Sequence, residues 1–231
     1  MSIADNIRRL EEEIEKACIR SGRDRSLVRL MGVSKFHDRS SVEEAWAAGI
    51  RLFGENRVQE AAKKFTGFAL SHPGTELHLT GSLQSNKAKA ASSLFDCIQS
   101  VDRDSLILEL AKHCAGRAKP LGILLELHTG EESKIGFPDE DGLYRAAEIL
   151  VSCPGLLPLG LMTMAPFTEE KKRIRASFRT LVKAREGLRA RFPQWDWSTL
   201  SMGMSGDFEI AIEEGSTLLR IGTLIFGERD R

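Results

Sequence analysis

The chain has no surplus of charge, a single tyrosine and no apolar run long enough to cross a bilayer. Its 231 residues hold 33 basic and 33 acidic side chains, so the formal net charge is zero. A whole-molecule field that would draw it to nucleic acid or to an anionic membrane is thereby excluded, and a charged partner has to be met by a local patch. No apolar run approaches the roughly 20 residues that a membrane-spanning helix needs, so a soluble protein is expected, cytoplasmic in a bacterium. The four cysteines, Cys18, Cys97, Cys114 and Cys153, lie far apart and form no CxxC pair. That spacing argues against a metal centre or a disulfide framework and for a reducing compartment. No GxGxxG follows the first apolar run, which leaves an open dinucleotide-binding sheet without its usual signature.

What is present is a regular alternation. Apolar, strand-like runs cover 28–35, 51–56, 76–82, 96–102, 121–129, 157–165, 198–204 and 218–226, and helical stretches separate them. Eight such strands with crossover helices predict a parallel sheet, and the continuous apolar character of the first, fifth and sixth runs suits strands covered on both faces. A closed barrel of eight βα units takes about 250 residues, close to this length. The expectation is therefore an α/β protein, a single-domain (β/α)8 TIM barrel spanning 1–231, with an open doubly wound sheet as the alternative. Residues 1–22 add a helix that packs on the barrel: Ile3, Ile7, Leu10, Ile14 and Cys18 recur at helical spacing. Asp5 and the four glutamates among the first 20 residues are incompatible with a signal or transit peptide.

In such a barrel the chemistry sits where the strands end. The first run finishes "VSK", so Lys35 can lay its aliphatic stem along an apolar mouth and point its amine inward, where partial loss of water makes an amine nucleophilic toward an aldehyde. The seventh run ends in "SMGMSGD" and the eighth passes Arg220 into Gly222 and Thr223. Loops after the last two strands of a barrel are a recurrent phosphate site, because glycine lets the backbone N–H groups approach an anion. Asp207 and Glu209 cut the other way, since they would repel a dianion unless they face elsewhere. An amine beside a phosphate nest suits a phosphorylated aldehyde, either pyridoxal phosphate or the phosphosugar of a Schiff-base aldolase.

The segments "VSKFHDRSSVEEAWAAGIRLFGENRVQE", "GSLQSNKAKA", "GEESKIGF", "GLMTMAP" and "LSMGMSGDFEIAIEEGSTLLRIGTLIFGER" together resemble the pyridoxal phosphate homeostasis family, single-domain relatives of the alanine racemase amino-terminal barrel. The resemblance implies that pyridoxal 5'-phosphate is the cofactor, linked to Lys35 as a Schiff base. It implies that Ser201 with the backbone of Gly222 and Thr223 holds the phosphate, that Arg220 faces the pyridine nitrogen and that Asn56 lines the pocket. Met162, Met164 and Met204 would supply an apolar wall. The chain departs from the family pattern at Leu77, Thr80, Ser82 and Gly206, none of which is the lysine or the cradle.

An arginine opposite the ring nitrogen does not give up its proton, so the ring would be a weak electron sink. Racemases of this fold use a tyrosine brought from another domain, whereas Tyr144 here is placed on an outer helix. The resemblance therefore implies a monomeric protein that binds and passes on pyridoxal phosphate, possible partners being apoenzymes that use it, with little or no turnover. The alternative is an amino-acid racemase-like enzyme. Three features read blandly. His78 and His128 have no ligand-spaced neighbours for a metal, Lys134 is a subordinate second amine, and the nine Lys or Arg of 169–191 form a solvated face rather than an RNA surface.

Overall fold

The computed structural model describes residues 2–131 and 135–228. Eight strands, β1 (Arg29–Val33), β2 (Leu52–Glu55), β3 (Glu76–Leu79), β4 (Cys97–Val101), β5 (Leu121–Glu126), β6 (Leu156–Met162), β7 (Thr199–Ser201) and β8 (Leu218–Ile221), hydrogen-bond in chain order and close on themselves. Every pairing is parallel, and β8 returns to β1 through the register Arg29↔Leu218 to Gly32↔Ile221. The open-sheet alternative is excluded by that last pairing.

The barrel interior is filled by close fitting of large against small residues. Met31 is fully buried, and its thioether occupies the space that Gly54 leaves: a Cβ at Gly54 would stand 3.0 Å from the Met31 sulfur. Gly122 makes the same accommodation for Leu159, whose Cδ1 would lie 2.8 Å from an added Cβ. Interiors packed this densely fix strand register, because a slip of one residue exchanges the inward and outward sets.

The outer layer consists of α2 (Arg39–Ala47), α3 (Val58–Phe65), α4 (Phe68–Ser71), α5 (Ala88–Leu94), α6 (Asp104–Cys114), α7 (Glu140–Val151), α8 (Lys171–Arg191), α9 (Phe208–Glu213) and α10 (Thr223–Phe226). The last two have only 6 and 4 residues and cannot by themselves cover β7 and β8. The amino-terminal helix α1 (Ile3–Arg20) does so, packing against α9, α10 and α2. Its apolar stripe of Ile7, Leu10, Ile14, Ala17 and Cys18 is buried, Ser2 caps its start by accepting from the Asp5 N–H, and Asn6 donates to the Ile225 carbonyl at 3.0 Å.

One expectation needs correction. The eighth apolar run does not stay extended to 226: β8 stops at Ile221, and 223–226 turn into α10, where the Gly222 carbonyl accepts from the N–H groups of Ile225 and Phe226. A short apolar run carries no periodicity that separates strand from helix. Between α3 and β3, Phe68–Ser71 forms a single helical turn whose Phe68 is buried against Phe53 and Phe65. Lys134 lies outside the described residues. Among the described residues no helix is long and apolar enough to cross a membrane.

Ile14 is completely buried at the centre of the α1 interface. Ile14→Ala is expected to cost about 2–5 kcal/mol of unfolding free energy, a buried large-to-small change, measured by urea titration. A loss near zero would mean that α1 is not an integral cover of the barrel.

Candidate functional site

Lys35 stands two residues beyond the end of β1, in a turn whose next residue, Phe36, has φ of 70°. A bulky residue in the left-handed region is costly unless its surroundings hold it there. The holding device is a buried ion cluster supplied by β2 and α3. Lys64 Nζ lies 2.5 Å from Glu55 Oε1 and 3.1 Å from Glu60 Oε1, and it donates to the Ser34 carbonyl at 2.7 Å. Ser34 Oγ donates to Glu55 Oε1 at 2.6 Å, and the Phe36 N–H donates to Glu60 Oε1 at 2.5 Å. The residues before and after Lys35 are thus tied to the same three charges. Burial raises the Glu55 pKa against the pull of Lys64 and Ser34. For Glu60, burial is outweighed by the Phe36 N–H and Lys64, which hold its carboxyl below the usual range.

Across the mouth, Arg220 at the end of β8 is almost wholly buried. Its Nη1 donates to the Ser201 carbonyl at 2.6 Å and to Ser201 Oγ at 2.9 Å, and its Nη2 donates to the Thr163 carbonyl at 2.8 Å. Burial lowers its pKa while Asp207 and Glu126 oppose that shift, and a guanidinium stays charged through such shifts. Glu126, the last residue of β5, is 2 % exposed, and its Oε2 has no hydrogen-bond partner. Burial pushes Glu126 up to about 8, with Asp102 and Glu131 reinforcing and Arg220 opposing. Asp207 is raised by burial too, and it accepts from the Met204 N–H at 2.6 Å, which closes the "MSGD" turn.

These groups border one cavity of about 550 Å³ at the carboxyl end of the strands. Of the residues expected in the site, Lys35, Asn56, Arg220, Gly222 and Thr223 line it, as do Met162, Met164, Met204 and Ser82. Ser201 does not. It is fully buried below the floor, where its hydroxyl donates to Gln99 Oε1 at 2.6 Å and accepts from Arg220. Ser201 thereby reaches the cavity only through the guanidinium it orients. Asn56 also has a buried, unpartnered Oδ1, so two polar atoms in this cavity, from Asn56 and Glu126, lack a protein partner.

Three members of this arrangement escaped sequence reasoning. Lys64 carried a usable signal: with Val58, Ala61 and Phe65 it falls on the buried stripe of α3, and a lysine there needs a buried counter-charge. Gln99 sat inside the apolar run "CIQSV" with the same implication. Glu126 was visible only as a carboxylate at a strand end. The other conspicuous residues are occupied elsewhere. His128 contacts Glu131 at 2.8 Å, and no group of three or more His, Cys, Asp or Glu that could hold a metal occurs among the described residues. The basic face of α8 is paired rather than bare: Arg175 and Arg179 meet Glu214 at 2.7 Å, Lys183 meets Glu140 at 2.9 Å and Arg191 meets Glu148 at 2.8 Å.

The chain's likeness to known proteins follows the same lines. The family described as alanine racemase, N-terminal domain, matches residues 2–230. The pyridoxal phosphate homeostasis protein of Vibrio cholerae is 41% identical over 99% of this chain and 97% of its own length. The structure of PipY from Synechococcus elongatus PCC7942, with PLP bound, superposes with a TM-score of 0.83 at 34% identity, covering 98% of this chain and 100% of that one. Alanine racemase from Bacillus anthracis shares the fold at a TM-score of 0.72 and 16% identity, and this chain spans 56% of it.

Two measurements test this geometry. Lys64→Met removes the cation of a buried pair, which typically costs about 3–5 kcal/mol, so urea unfolding should show a loss of that order; a loss below about 1 kcal/mol would mean the cluster does not hold the turn. Glu126→Gln addresses the raised carboxyl. An acid whose folded pKa of about 8 exceeds the ordinary 4.5 costs stability as pH climbs between those values, because the unfolded chain releases the proton first. Parent and variant should melt together below pH 4.5 and diverge above it, the variant being more stable by on the order of 10 °C at pH 8. Parallel melting curves across that range would refute the assignment.

Proposed function

We propose, on the premise that this chain belongs to the alanine racemase N-terminal domain family and stands among its pyridoxal phosphate homeostasis members, that it binds pyridoxal 5'-phosphate reversibly. It holds the cofactor as a Schiff base on Lys35 and passes it on with little or no turnover, acting as a cytoplasmic monomer. The observation that carries this reading is the convergence of Lys35, Arg220, Gly222, Thr223 and the unpartnered Asn56 Oδ1 and Glu126 Oε2 on one 550 Å³ cavity.

The residues fit the cofactor's chemistry group by group. Pyridoxal phosphate supplies an aldehyde and an electron-accepting ring. Lys35 offers the amine, in a turn pinned on both sides by Lys64 and Glu60. Gly222 and Thr223 offer backbone N–H groups to the phosphate, and a Cβ at Gly222 would come 3.2 Å from the Val33 carbonyl, so a side chain there would be tightly placed. Arg220, held by Ser201, offers only donors to an acceptor in the cavity, which keeps that acceptor unprotonated and the ring a weak electron sink. Asp207 is turned into its own loop by the Met204 N–H and Glu209 pairs with Arg20 at 3.1 Å; Asp207, though it lines the cavity, is raised in pKa, which weakens its repulsion of an anion.

Tyr144 supports low turnover. The single tyrosine lies on α7, bonded to Glu140 at 3.2 Å and covered by Arg191, on the outer ring. It is not placed to act as the second base of a racemase. One observation favours the alternative, a racemase-like enzyme: Glu126 is a carboxyl inside the cavity whose raised pKa suits proton exchange near neutrality. Transfer to apoenzymes is supported by the surroundings of the mouth, where Phe36, Phe167, Met204 and Leu224 are exposed and offer apolar contact to a protein partner.

Mixing the purified chain with pyridoxal phosphate is expected to produce a visible imine absorbance that borohydride fixes onto Lys35, and Lys35→Ala should abolish both. A borohydride-stable adduct mapped to any other lysine would overturn the assignment. Racemisation of alanine or serine at ordinary enzyme rates, lost in Glu126→Gln, would replace it with the enzyme reading.

A further inference from the structure

One carboxyl in the cofactor cavity has no assigned ligand contact. Alternation along β5 puts Gly122, Leu124 and Glu126 on the inner side of the barrel, the first two toward the amino ends of the strands and the last at the cavity of about 550 Å³. Glu126 is 2 % exposed, yet its Oε2 has no hydrogen-bond partner among the described residues. A buried carboxyl is costly unless something offsets its charge or its lost hydration. The hydrogen bonds of Arg220 go to Ser201 and to the Thr163 carbonyl, so this guanidinium acts on Glu126 only through its field. Burial outweighs that pull and pushes Glu126 up to about 8.

Asn56 has the same unmet need. Its Oδ1 is buried without a partner, in a residue that lines the same cavity. Gly81, two residues beyond β3, backs it closely: a Cβ at Gly81 would stand 2.3 Å from the Asn56 carbonyl oxygen and 2.8 Å from the Asn56 Cβ. An amide oxygen accepts and never donates. The other acid of this cavity, Asp207, already accepts from the Met204 N–H at 2.6 Å, so the acceptors left for a ligand are those of Asn56 and Glu126. The aldehyde form of the cofactor answers them poorly, since beside its phosphate it brings one hydroxyl donor, and its carbonyl is taken by Lys35. An aminomethyl group in place of the aldehyde adds an ammonium, with three N–H donors and a positive charge.

We propose that the cavity also takes the amine form of the cofactor, a phosphorylated pyridine bearing a primary ammonium, without a covalent bond, and that Glu126 with Asn56 recognises the ammonium. The inference rests on the proposed function for the phosphate and ring contacts, which Gly222, Thr223 and Arg220 provide in both forms. The ammonium supplies the counter-charge that Glu126 lacks, so the carboxyl meets it ionised, and charge-assisted hydrogen bonds are the strong ones. Asp102 and Glu131, whose charges also act on Glu126, make that side of the cavity more favourable to a cation. Lys35 is no nucleophile toward this ligand, which has no carbonyl to attack. One cavity thereby serves two ligand chemistries, an aldehyde at Lys35 and an ammonium at Glu126.

The probes are pyridoxamine 5'-phosphate and 4'-deoxypyridoxine 5'-phosphate, which keeps the ring and the phosphate but carries a methyl group in place of the aminomethyl. Calorimetry on the full chain freed of cofactor should show the amine binding about tenfold more tightly than the methyl compound, the effect of one charge-assisted hydrogen bond. In Glu126→Gln, close in shape but without the charge, that ratio should fall toward one, and Asn56→Ala should lower it as well. Lys35→Ala should lose the imine absorbance with pyridoxal phosphate and keep saturable binding of the amine. Equal Kd values for the two probes, a ratio unchanged in Glu126→Gln, or loss of amine binding in Lys35→Ala overturns the proposal. If Glu126→Gln fails to fold, the ratio in Asn56→Ala decides in its place. An imine on Lys35 without any binding of the amine sinks this inference and leaves the proposed function standing. Amine binding without an imine on Lys35 counts against the Schiff base instead, and failure of both ligands to bind removes both readings.

Discussion

The barrel is most weakly joined at β7, and Arg220 is the group that spans the gap. That strand has three residues and meets β8 at the single register pair Ser201↔Leu218. From β8, Arg220 bonds the carbonyl and hydroxyl of Ser201 at the end of β7 and the carbonyl of Thr163 just past β6. A buried charge is tolerated only with such a set of acceptors. The same three bonds that tie β8 to the ends of β7 and β6 therefore aim a permanent cation at the mouth, so this seam and the cavity share one residue.

Opposite this cation the problem is to present an amine without letting its turn wander. The solution again uses buried charge: Lys64, Glu55 and Glu60 grip the backbone on either side of Lys35. Ion clusters of this kind contribute little net stability compared with an apolar core, but losing one partner is costly, so they specify geometry. Between the two charged supports lie Asn56 and Glu126, each with a buried oxygen that has no hydrogen-bond partner. Beneath them, Ser201, Gln99 and His78 carry hydrogen-bonded polarity into the barrel, which is why its interior is not purely apolar.

How much of this was legible depended on the range of the interaction. Local patterns were readable: the spacing of Ile7, Leu10 and Ile14 announced α1, and the lysine after "GVS" announced an amine at a strand end. The glycines of "SMGMSGD" and "RIGT" announced turns in the last two loops. The run "TLIF" was misread because four apolar residues look alike in a strand and in a helical turn. The resemblance placed Ser201 against an anion, whereas in the structure it ends β7 fully buried and bonded to Gln99 and Arg220. Lys64 and Gln99 were passed over because each looks ordinary until the partner 30 or 21 residues away is brought beside it.

By itself the sequence determined the alternation of strands and helices, a lysine and an arginine near strand ends, and glycine turns in the last two loops, because these follow from side-chain periodicity and from the backbone freedom of single residues. Only the tertiary structure decided which of those groups share a cavity, that Ser201 bonds Arg220, that burial raises the Glu126 pKa, and that a run of hydrogen bonds from Arg220 to His78 crosses the barrel interior. Burial and the meeting of distant charges set those properties, and neither exists until the eight strands have closed.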